Sequence, residues 1–352
     1  TAKNYHCSLV DVKNAGTCFR FLTALFSSQQ GEVILTGSEE MKKRPIKKLV
    51  DALRQLGAEI HYLEKEGYPP LRIEGKKLNG GEVKINAGIS SQYVSAMLLI
   101  APFLEKGLTV IQEGEIKSQS YTKMTISLLR KVGVEVIENG KEITVSPVSK
   151  SYYLPISVER DWSSVSYWYE LISLSPLHTK IQLNGVSVQS IQGDSEIVSL
   201  FEQLGVRTLE GTDGVEIIKT QQVENIVFEH NFSSIPDMVQ TFVATLVGLR
   251  LNGKFTGISH LIYKETNRIE ALKNEIAKLN YSLEMIDNDS FEIKKLGELP
   301  KSVDVSTYND HRMAMAFAPL ALLAPIQIEE PDVVKKSYPK FWEDLEKVGF
   351  DI

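Results

Sequence analysis

Cysteine is scarce in this sequence of 352 residues, which contains only Cys7 and Cys18. Two cysteines cannot build a disulfide framework, and these two are not spaced as a CxxC metal or redox pair. The chain also lacks an apolar run of the roughly 20 residues that a membrane helix requires. The longest run, between residues 313 and 326, contains proline and predicts a buried helix. We therefore expect a soluble protein of the reducing cytoplasm with no zinc site.

Basic residues are outnumbered by acidic ones, with 39 Lys and Arg against 45 Asp and Glu and a formal net charge of -6. Nucleic acids and anionic membranes normally bind a basic face, so neither is an expected partner. The sequence has no GxGxxG or GxxxxGK[ST] loop, which disfavours the usual nucleotide-phosphate chemistry, and it shows no constellation of metal ligands. We expect neither a metal nor another cofactor.

The length exceeds the size at which one hydrophobic core usually keeps growing, so two domains are predicted. We place the first at residues 1–157 and the second at residues 158–352, because a Ser/Tyr/Pro-containing stretch follows the predicted strand Glu142–Val145 and a helical pattern begins at Trp162. One undivided domain is the alternative. The sequence opens at Thr1 without a signal or transit pattern, and we expect that a segment is missing upstream.

A repeated pattern, an amphipathic helix closed by Gly or Asn and followed by an alternating strand, occurs five times. The closing residues recur at intervals of about 70 residues, at Gly57, Gly133, Gly205, Asn280 and Gly349. Strands predicted at residues 31–35 and 108–111 alternate with helices at residues 47–56 and 92–103, which indicates mixed α/β modules. Because an even number would be more symmetric, we expect a sixth module outside this sequence.

Three motifs of the first half combine turns with groups that can bind an anion. Residues 14–20 (Asn-Ala-Gly-Thr-Cys-Phe-Arg) predict a tight turn into a helix with free N–H groups, although an ordinary helix cap is the alternative. Residues 42–45 (Lys-Lys-Arg-Pro) keep Arg44 out of a helix, and a solvated basic loop explains them equally well. Residues 90–92 (Ser-Ser-Gln) begin an apolar helix, which they can cap or supply with a phosphate site.

Carboxylates accompany the cations of the second half. Asp237 is predicted at the opening of an apolar helix, where the helix dipole favours its ionised form and a role as a base, unless it is a plain N-terminal Asp. Lys264 and Arg268 are predicted four residues apart on one helix face with Glu265 beside them, and surface charge pairing is the alternative.

Two further segments of the second half contain several polar or charged residues close together, one at the start of a predicted helix and one in a predicted loop. Residues 308–315 (Tyr-Asn-Asp-His-Arg-Met-Ala-Met) put Arg312 in the first turn of an apolar helix, which opposes the helix dipole unless an anion is bound there. Residues 335–339 (Lys-Lys-Ser-Tyr-Pro) predict a loop that ends in proline and presents two more cations.

Six cations thus lie in turns and at helix starts, namely Arg20, Arg44, Lys264, Arg268, Arg312 and Lys336. They suit a cleft that closes on a multiply anionic substrate. In this order, from Asn14 to the C-terminus, the motifs resemble those of the enolpyruvyl transferases and specifically the 5-enolpyruvylshikimate-3-phosphate (EPSP) synthase family. The resemblance implies a two-domain inside-out α/β barrel of six βαβαββ units, with the active site in the interdomain cleft.

The resemblance also implies a reaction and its residues. The enolpyruvyl group of phosphoenolpyruvate would pass by addition–elimination to the 5-hydroxyl of shikimate 3-phosphate, with release of phosphate, in a monomeric enzyme of the shikimate pathway to chorismate and the aromatic amino acids. Asp237 is the candidate base for the hydroxyl and Glu265 the candidate for proton exchange at C3. Phosphoenolpyruvate would contact Gly16, Arg44, Gln92, Arg268, Arg312 and Lys336. Shikimate 3-phosphate would contact Ser90, Ser91, Gln92, Ser118, Tyr121, Asp237 and Lys264. Supporting residues would be Asn14, Thr17, Arg20 and His311.

The chain departs from the family pattern in three places. The family's N-terminal Lys-Ser…Arg motif has no counterpart here, and a chain without it is expected to be catalytically crippled. His260 stands where the family commonly has Asn among its shikimate 3-phosphate contacts, and Asn267 stands where it often has Asp. Gly16 and Thr17 suit a family member that phosphoenolpyruvate-like inhibitors such as glyphosate can enter.

Two other functions remain as alternatives. UDP-N-acetylglucosamine enolpyruvyl transferases share the fold and phosphoenolpyruvate, but they place a reactive Cys in a mobile loop and lack the Tyr-Asn-Asp-His-Arg run. Cys18 instead follows the Asn-Ala-Gly-Thr turn. The second alternative is a non-catalytic anion-binding relative that kept the fold. Retention of Asp237, Glu265 and the cations argues against it.

Overall fold

The computed structural model describes residues 5–86, 90–114, 116, 118–148 and 156–352, with side chains from Ser8 onward. Thr1 and residue 155 of the predicted boundary stretch lie outside this range. The described residues form two compact units that divide between Ile156 and Ser157, next to the boundary predicted from the sequence. Within them, no helix has the length and apolar character needed to cross a membrane.

The first unit consists of two α/β modules with the same strand arrangement. The first module contains β1 (Tyr5–Asp11), α1 (Gly16–Ser27), β2 (Gly31–Thr36), α2 (Glu39–Lys42), α3 (Lys47–Gln55), β3 (Glu59–Tyr62) and β4 (Leu71–Gly75). The second module contains β5 (Gly81–Asn86), α4 (Ser91–Ile100), β6 (Leu108–Glu113), α5 (Gln119–Lys131), β7 (Val136–Asn139) and β8 (Glu142–Val145). The sheet orders are β1-β2-β4-β3 and β5-β6-β8-β7. In each sheet the first two strands are parallel and the remaining neighbours antiparallel.

The core of the first unit lies between the sheets and the packed helices α1, α4 and α5. Alternate residues of β2 point inward, so Val33 and Leu35 are buried, while almost the whole of α4 is buried. Each such Leu or Val contributes about 1.5–3 kcal/mol through burial. The buried helix α4 is therefore held rigidly, and its N-terminal residues have well-defined positions.

The second unit contains three modules. The third module of the chain contains α6 (Trp162–Leu174), β9 (Lys180–Asn184), α7 (Ile197–Gln203), β10 (Val206–Glu210) and β11 (Gly214–Lys219). The fourth contains β12 (Val227–Asn231), α8 (Val239–Gly248), β13 (Asn252–Thr256), α9 (Arg268–Lys278), β14 (Tyr281–Asp287) and β15 (Ser290–Lys295). The fifth contains β16 (Val303–Val305), α10 (His311–Phe317), β17 (Ile326–Ile328) and α11 (Phe341–Lys347). The sheet orders are β10-β11-β9, β12-β13-β15-β14 and β16-β17.

Helices α6, α8 and α10 pack on one another at the centre of the second unit. A chain of aromatic rings extends this core, with Phe201 and Phe242 at 4.7 Å, Phe232 and Phe255 at 5.1 Å, and Phe255 and Phe291 at 4.8 Å between ring centroids. Offset or tilted aromatic pairs add about 0.5–1.5 kcal/mol each to the area that they bury. The N-termini of α8, α9 and α10 are thereby fixed on a dense core.

The repeat inferred from the closing residues is confirmed in the backbone. All five have positive φ values: +90° at Gly57, +83° at Gly133, +83° at Gly205, +59° at Asn280 and +102° at Gly349. Gly adopts this region without strain and Asn tolerates it, which is why these residues end the helices. In the first four modules a strand follows, namely β3, β7, β10 or β14.

Proline shortens two helices relative to the prediction. The helix predicted at residues 92–103 is α4 followed by a 3₁₀ turn at Ala101–Phe103. The buried, proline-containing helix predicted between residues 313 and 326 is confirmed in part, because α10 ends at Phe317 and continues as a 3₁₀ turn at Ala318–Leu322. Pro102 and Pro319 each sit at the start of a 3₁₀ turn. A proline lacks the N–H that an uninterrupted α-helix needs.

Candidate active site

The predicted turn before α1 brings two arginines against Gly16. The helix starts at Gly16, after Ala15, which has no side-chain acceptor to cap it. A Cβ added to Gly16 would lie 2.5 Å from Nη1 of Arg20 and 2.7 Å from Nη1 of Arg44. Two guanidinium groups therefore converge on Gly16, where an added Cβ would displace them, beside a helix N-terminus that favours anions.

Gln92 connects the start of α4 to this turn. Its Nε2 donates to Oγ1 of Thr17 at 2.9 Å, and its Oε1 accepts from Nη1 of Arg20 at 2.8 Å. Ser90 is the N-cap of α4, and its hydroxyl accepts from the Gln92 N–H at 3.3 Å. The Ser-Ser-Gln motif is thus a helix cap and also a part of the arginine cluster.

Tyr93 supports the same cluster and was not singled out from the sequence. The guanidinium of Arg20 lies 5.6 Å from the centre of the Tyr93 ring, and the Tyr93 hydroxyl donates to the carbonyl of Pro45 at 2.5 Å. The tyrosine therefore holds Arg20 and the segment that carries Arg44. Its place directly after the Ser-Ser-Gln motif was the available signal, but the residue is also typical of an apolar helix face.

The remaining predicted residues of the first unit lie at the starts of α1, α4 and α5. Ser118 is the N-cap of α5 with a φ of 53°, and Tyr121 lies in the first turn, where its N–H donates to the Ser118 carbonyl at 3.3 Å. The Thr125 hydroxyl donates to the Ser95 hydroxyl at 2.8 Å, so α4 and α5 are joined where they pack together. Asn14 has a buried Oδ1 that accepts no hydrogen bond within the described part of the chain. Ser91 is buried.

Arg268 is the centre of the polar cluster in the second unit. Its side chain is only 1% exposed, and each of its nitrogens donates to a different carboxylate. Nε donates to Asp310 at 2.7 Å, Nη1 to Asp237 at 2.7 Å and Nη2 to Glu265 at 2.9 Å. A buried charge is tolerated when it is paired with ionic acceptors, and each of the three nitrogens of this arginine has one.

Asp237 accepts from three cations. Besides Arg268, Nζ of Lys264 lies 3.1 Å from its Oδ1, and Nη2 of Arg312 lies 3.2 Å from its Oδ2. Burial alone would raise the pKa of Asp237, but Arg312, Lys264 and Arg268 together hold it well below its usual value of 3.8. The carboxylate is therefore ionised throughout the physiological pH range.

The rest of the cluster continues from Glu265 and α10. Lys336 donates to Oε1 of Glu265 at 2.7 Å. Asp310 caps α10 by accepting from the Arg312 N–H at 2.9 Å, and Nδ1 of His311 lies 3.5 Å from Oδ1 of Asp310. Burial, reinforced by the charge of Arg312, lowers the pKa of His311 to about 4, so its imidazole is neutral at pH 7.

The prediction that Lys264 and Arg268 share a helix face was wrong. Lys264 has an extended backbone at the end of the 3₁₀ turn Ser259–Tyr263, and α9 begins only at Arg268. Asn267 is the N-cap of α9, where its Oδ1 accepts from the Glu270 N–H at 3.3 Å. Because an N-cap residue has a non-helical backbone, the helix starts after Asn267 and does not include Lys264. The two cations meet through Asp237 instead.

Three polar residues of this cluster were not assigned a role from the sequence, namely Asp310, Ser163 and Asp194. Asp310 is fully buried and accepts from Arg268, although in the sequence it is only one member of the run 308–315. Ser163 contacts Arg312 and Asp194. No local motif marks these contacts, because Ser163 and Arg312 are 149 positions apart. His260 is buried in the 3₁₀ turn Ser259–Tyr263.

Four cations and three carboxylates are joined by direct ion pairs in the cluster of the second unit, and the buried acid Asp194 adjoins them through Ser163. Comparison with known proteins agrees with an anion-binding enzyme. A family model described as EPSP synthase (3-phosphoshikimate 1-carboxyvinyltransferase) matches residues 2–345. The chain belongs to the EPSP synthase family. The resemblance inferred from the motifs is thereby confirmed.

Relatives of this EPSP synthase family cover nearly the whole chain. A 3-phosphoshikimate 1-carboxyvinyltransferase of Bacteroides fragilis is 45% identical over 98% of this chain and 84% of its own length. One from Haemophilus influenzae is 36% identical over 95% of this chain and 78% of its own length.

Solved structures confirm the fold class. An EPSP synthase of Acinetobacter baumannii superposes with a TM-score of 0.75 at 23% identity, over 97% of this chain and 79% of the other. The enolpyruvyl transferase NikO of Streptomyces tendae gives a TM-score of 0.64 at 16% identity, over 87% of this chain and 71% of the other. The chain has the two-domain enolpyruvyl transferase fold that the motifs predicted.

Proposed function

We propose that this protein transfers the enolpyruvyl group of phosphoenolpyruvate to the 5-hydroxyl of shikimate 3-phosphate and releases phosphate. The observation that carries the proposal is the position of Asp237, a carboxylate within 3.2 Å of Arg268, Lys264 and Arg312. Both substrates are anions that such cations can bind, and the membership in the EPSP synthase family supports the choice of this pair.

The exposure of each cation determines whether it can contact a bound anion directly. Arg268 is 1% exposed and its three nitrogens already donate to carboxylates, so it acts mainly by ordering Asp237, Glu265 and Asp310. The side chain of Arg312 is 11% exposed and that of Lys336 28%, so these two can reach phosphoenolpyruvate directly. In the first unit, Arg44 and Gln92 at Gly16 offer further donors.

The chemistry requires one base and one proton donor. In the addition step the 5-hydroxyl oxygen attacks C2 of phosphoenolpyruvate, loses its proton to Asp237, and C3 gains a proton. In the elimination step C3 loses a proton to Glu265, the C2–C3 double bond forms again and the C2–O bond to phosphate breaks. Asp237 paired with three cations is a weak base, but an anionic substrate that draws Arg312 and Lys264 away would raise its pKa toward the working range.

Glu265 is the proposed group for the proton exchange at C3. It accepts from Arg268 at 2.9 Å and from Lys336 at 2.7 Å, so it is ordered from both sides. The same cations stabilise negative charge that develops on the carboxylate and on the leaving phosphate. Ser90, Ser91, Ser118, Tyr121 and Lys264 are the proposed contacts of shikimate 3-phosphate.

The test is phosphate release by the protein expressed from its complete gene, with phosphoenolpyruvate and either shikimate 3-phosphate or UDP-N-acetylglucosamine. We expect release with shikimate 3-phosphate only and its loss in Arg312→Ala. Arg250→Ala is the matched control, since Arg250 pairs with Glu298 on the surface of the same unit. Release with the nucleotide sugar alone would assign the sister activity, and no release with either acceptor would support a binding protein. The monomeric state and the cytoplasmic location stay predictions.

A further inference from the structure

The hydroxyl of Ser163 lies between the guanidinium of Arg312 and the buried carboxyl group of Asp194. Ser163 is in the first turn of α6, where its N–H donates to Oδ1 of Asp161 at 3.2 Å. Its Oγ lies 3.3 Å from Nη2 of Arg312 and 2.5 Å from Oδ2 of Asp194. Asp194 belongs to the 3₁₀ turn Gly193–Glu196 and is only 3% exposed.

The direction of these hydrogen bonds follows from their chemistry. A guanidinium can only donate, so the Ser163 oxygen accepts from Arg312. The single proton of the hydroxyl is then directed to Asp194, the acceptor on its other side. The serine therefore presents a lone pair to Nη2 of Arg312, the same nitrogen that lies 3.2 Å from Oδ2 of Asp237. Arg312 is thus held on two sides.

The turn that carries Asp194 is itself attached to the start of α6. Oε1 of Gln192 accepts from the Trp162 N–H at 3.0 Å, and Nε2 of Gln192 donates to the Arg160 carbonyl at 2.8 Å. Asp194 and Ser163 are therefore fixed relative to each other by the backbone as well as by their own bond. A rigid acceptor keeps the guanidinium in one orientation before an anion arrives.

We propose that Ser163 and Asp194 are positioning residues that orient Arg312 for the anionic substrate. This inference rests on the proposed function. A charge-assisted hydrogen bond is worth more than a neutral one, and losing one at a binding group weakens affinity by about tenfold. Neither residue needs to touch the substrate, so the effect is expected in the KM for phosphoenolpyruvate more than in kcat.

The decisive experiment compares four variants by steady-state kinetics of phosphate release. Ser163→Ala is expected to raise the KM for phosphoenolpyruvate about tenfold and to leave the KM for shikimate 3-phosphate nearly unchanged. Ser163→Thr keeps the hydroxyl and is expected to restore most of the affinity. Ser164→Ala is the matched control, because the neighbouring Ser164 hydroxyl bonds Asp161 at 2.7 Å in the same helical turn.

Asp194→Asn separates positioning from a purely structural role. Burial, with Asp237 nearby, raises the pKa of Asp194 to about 6, so the folded protein holds an unfavourable buried charge at pH 7. The amide removes that charge. We expect unchanged or higher thermal stability at pH 7 together with a higher KM for phosphoenolpyruvate.

Two results would overturn the inference. The first is that the wild type is active and both Ser163→Ala and Asp194→Asn have the wild-type KM for phosphoenolpyruvate. This result would remove the positioning role and leave the proposed function intact. The second is that Asp194→Asn raises the KM for phosphoenolpyruvate but also lowers the thermal stability, which would indicate a structural role. A wild type without phosphate release would remove the proposed function and this inference with it.

Discussion

Gly16 and Arg20 are so close that a Cβ on Gly16 would lie 2.5 Å from Nη1 of the arginine. Real Cβ atoms do not approach other atoms so closely, so Gly16→Ala must displace Arg20, and also Arg44, whose Nη1 would lie 2.7 Å away. We expect the KM for phosphoenolpyruvate to rise about tenfold or more, since an ordered guanidinium pair is lost. Steady-state kinetics measure this change.

Gly297→Ala is the control for that substitution. A Cβ there would meet Asn280 at 3.4 Å, which is ordinary van der Waals contact, and the KM should stay at the wild-type value. Equal KM values for Gly16→Ala and the wild type would show that the two arginines do not serve the phosphoenolpyruvate site.

Asp237→Asn tests the proposed base. The amide keeps the size of the side chain but cannot take a proton from the substrate hydroxyl, so kcat is expected to fall by about 10²–10⁴. Single-turnover measurements with saturating substrates report the chemical step. Asp332→Asn removes an exposed carboxylate paired with Lys335 and should leave kcat unchanged. Retention of wild-type kcat in Asp237→Asn would remove Asp237 from the mechanism.

Glu275 stabilises the loop before α10. The side chain is fully buried, and it accepts from Lys278 at 2.8 Å, from the Ser306 N–H at 3.1 Å and from the Tyr308 hydroxyl at 2.8 Å. Glu275→Gln replaces an ionic acceptor and should lower the free energy of unfolding by about 1–3 kcal/mol. Urea denaturation measures it. Tyr308→Phe removes a single hydroxyl and should cost about 1 kcal/mol; a larger loss there than in Glu275→Gln would contradict this account.

Glu170 is expected to lower the free energy of unfolding as the pH rises. Both its carboxylate oxygens are buried and accept no hydrogen bond from the described residues. Burial raises the pKa of Glu170 well above its usual value of 4.5. Because the folded state keeps the proton, this contribution is complete below the unfolded pKa and is lost as the pH rises through the folded pKa.

Glu170→Gln mimics the protonated acid, and its advantage over the wild type should grow with pH. Chemical denaturation at about pH 5 and about pH 8 compares the two proteins. Glu343→Gln is the control on a helix of the same unit. A constant difference in unfolding free energy between Glu170→Gln and the wild type at both pH values would show that Glu170 is not protonated in the fold.

The repeat and the helix ends were predictable because their physics is local. A residue that tolerates positive φ can end an amphipathic helix whatever the surrounding tertiary structure. Five residues do so here, namely Gly57, Gly133, Gly205, Asn280 and Gly349. The family resemblance used the same kind of information, short motifs such as residues 308–315. It named Asp237, Arg268 and Arg312 before any contact among them was visible.

Local rules failed where a side chain or a proline changed the helix boundary. Asn267 caps α9 and so separates Lys264 from the helix of Arg268, although the spacing of four residues fitted one face. Pro319 ended α10 early in the same way. The cap hydrogen bond of Asn267 and the missing N–H of Pro319 each outweighed a periodic pattern.

The contacts that orient the charges came only from the tertiary structure. Arg268 lies 31 positions from Asp237 and 42 from Asp310, and Arg312 lies 149 from Ser163. Hydrogen bonds depend on distances within about 3 Å, and such distances between remote residues are set by the packing of α6, α8, α9 and α10 rather than by any short motif. The amino-acid order therefore decided the modules, the helix ends and the kind of ligand, while the packing of the core decided which carboxylate each cation meets.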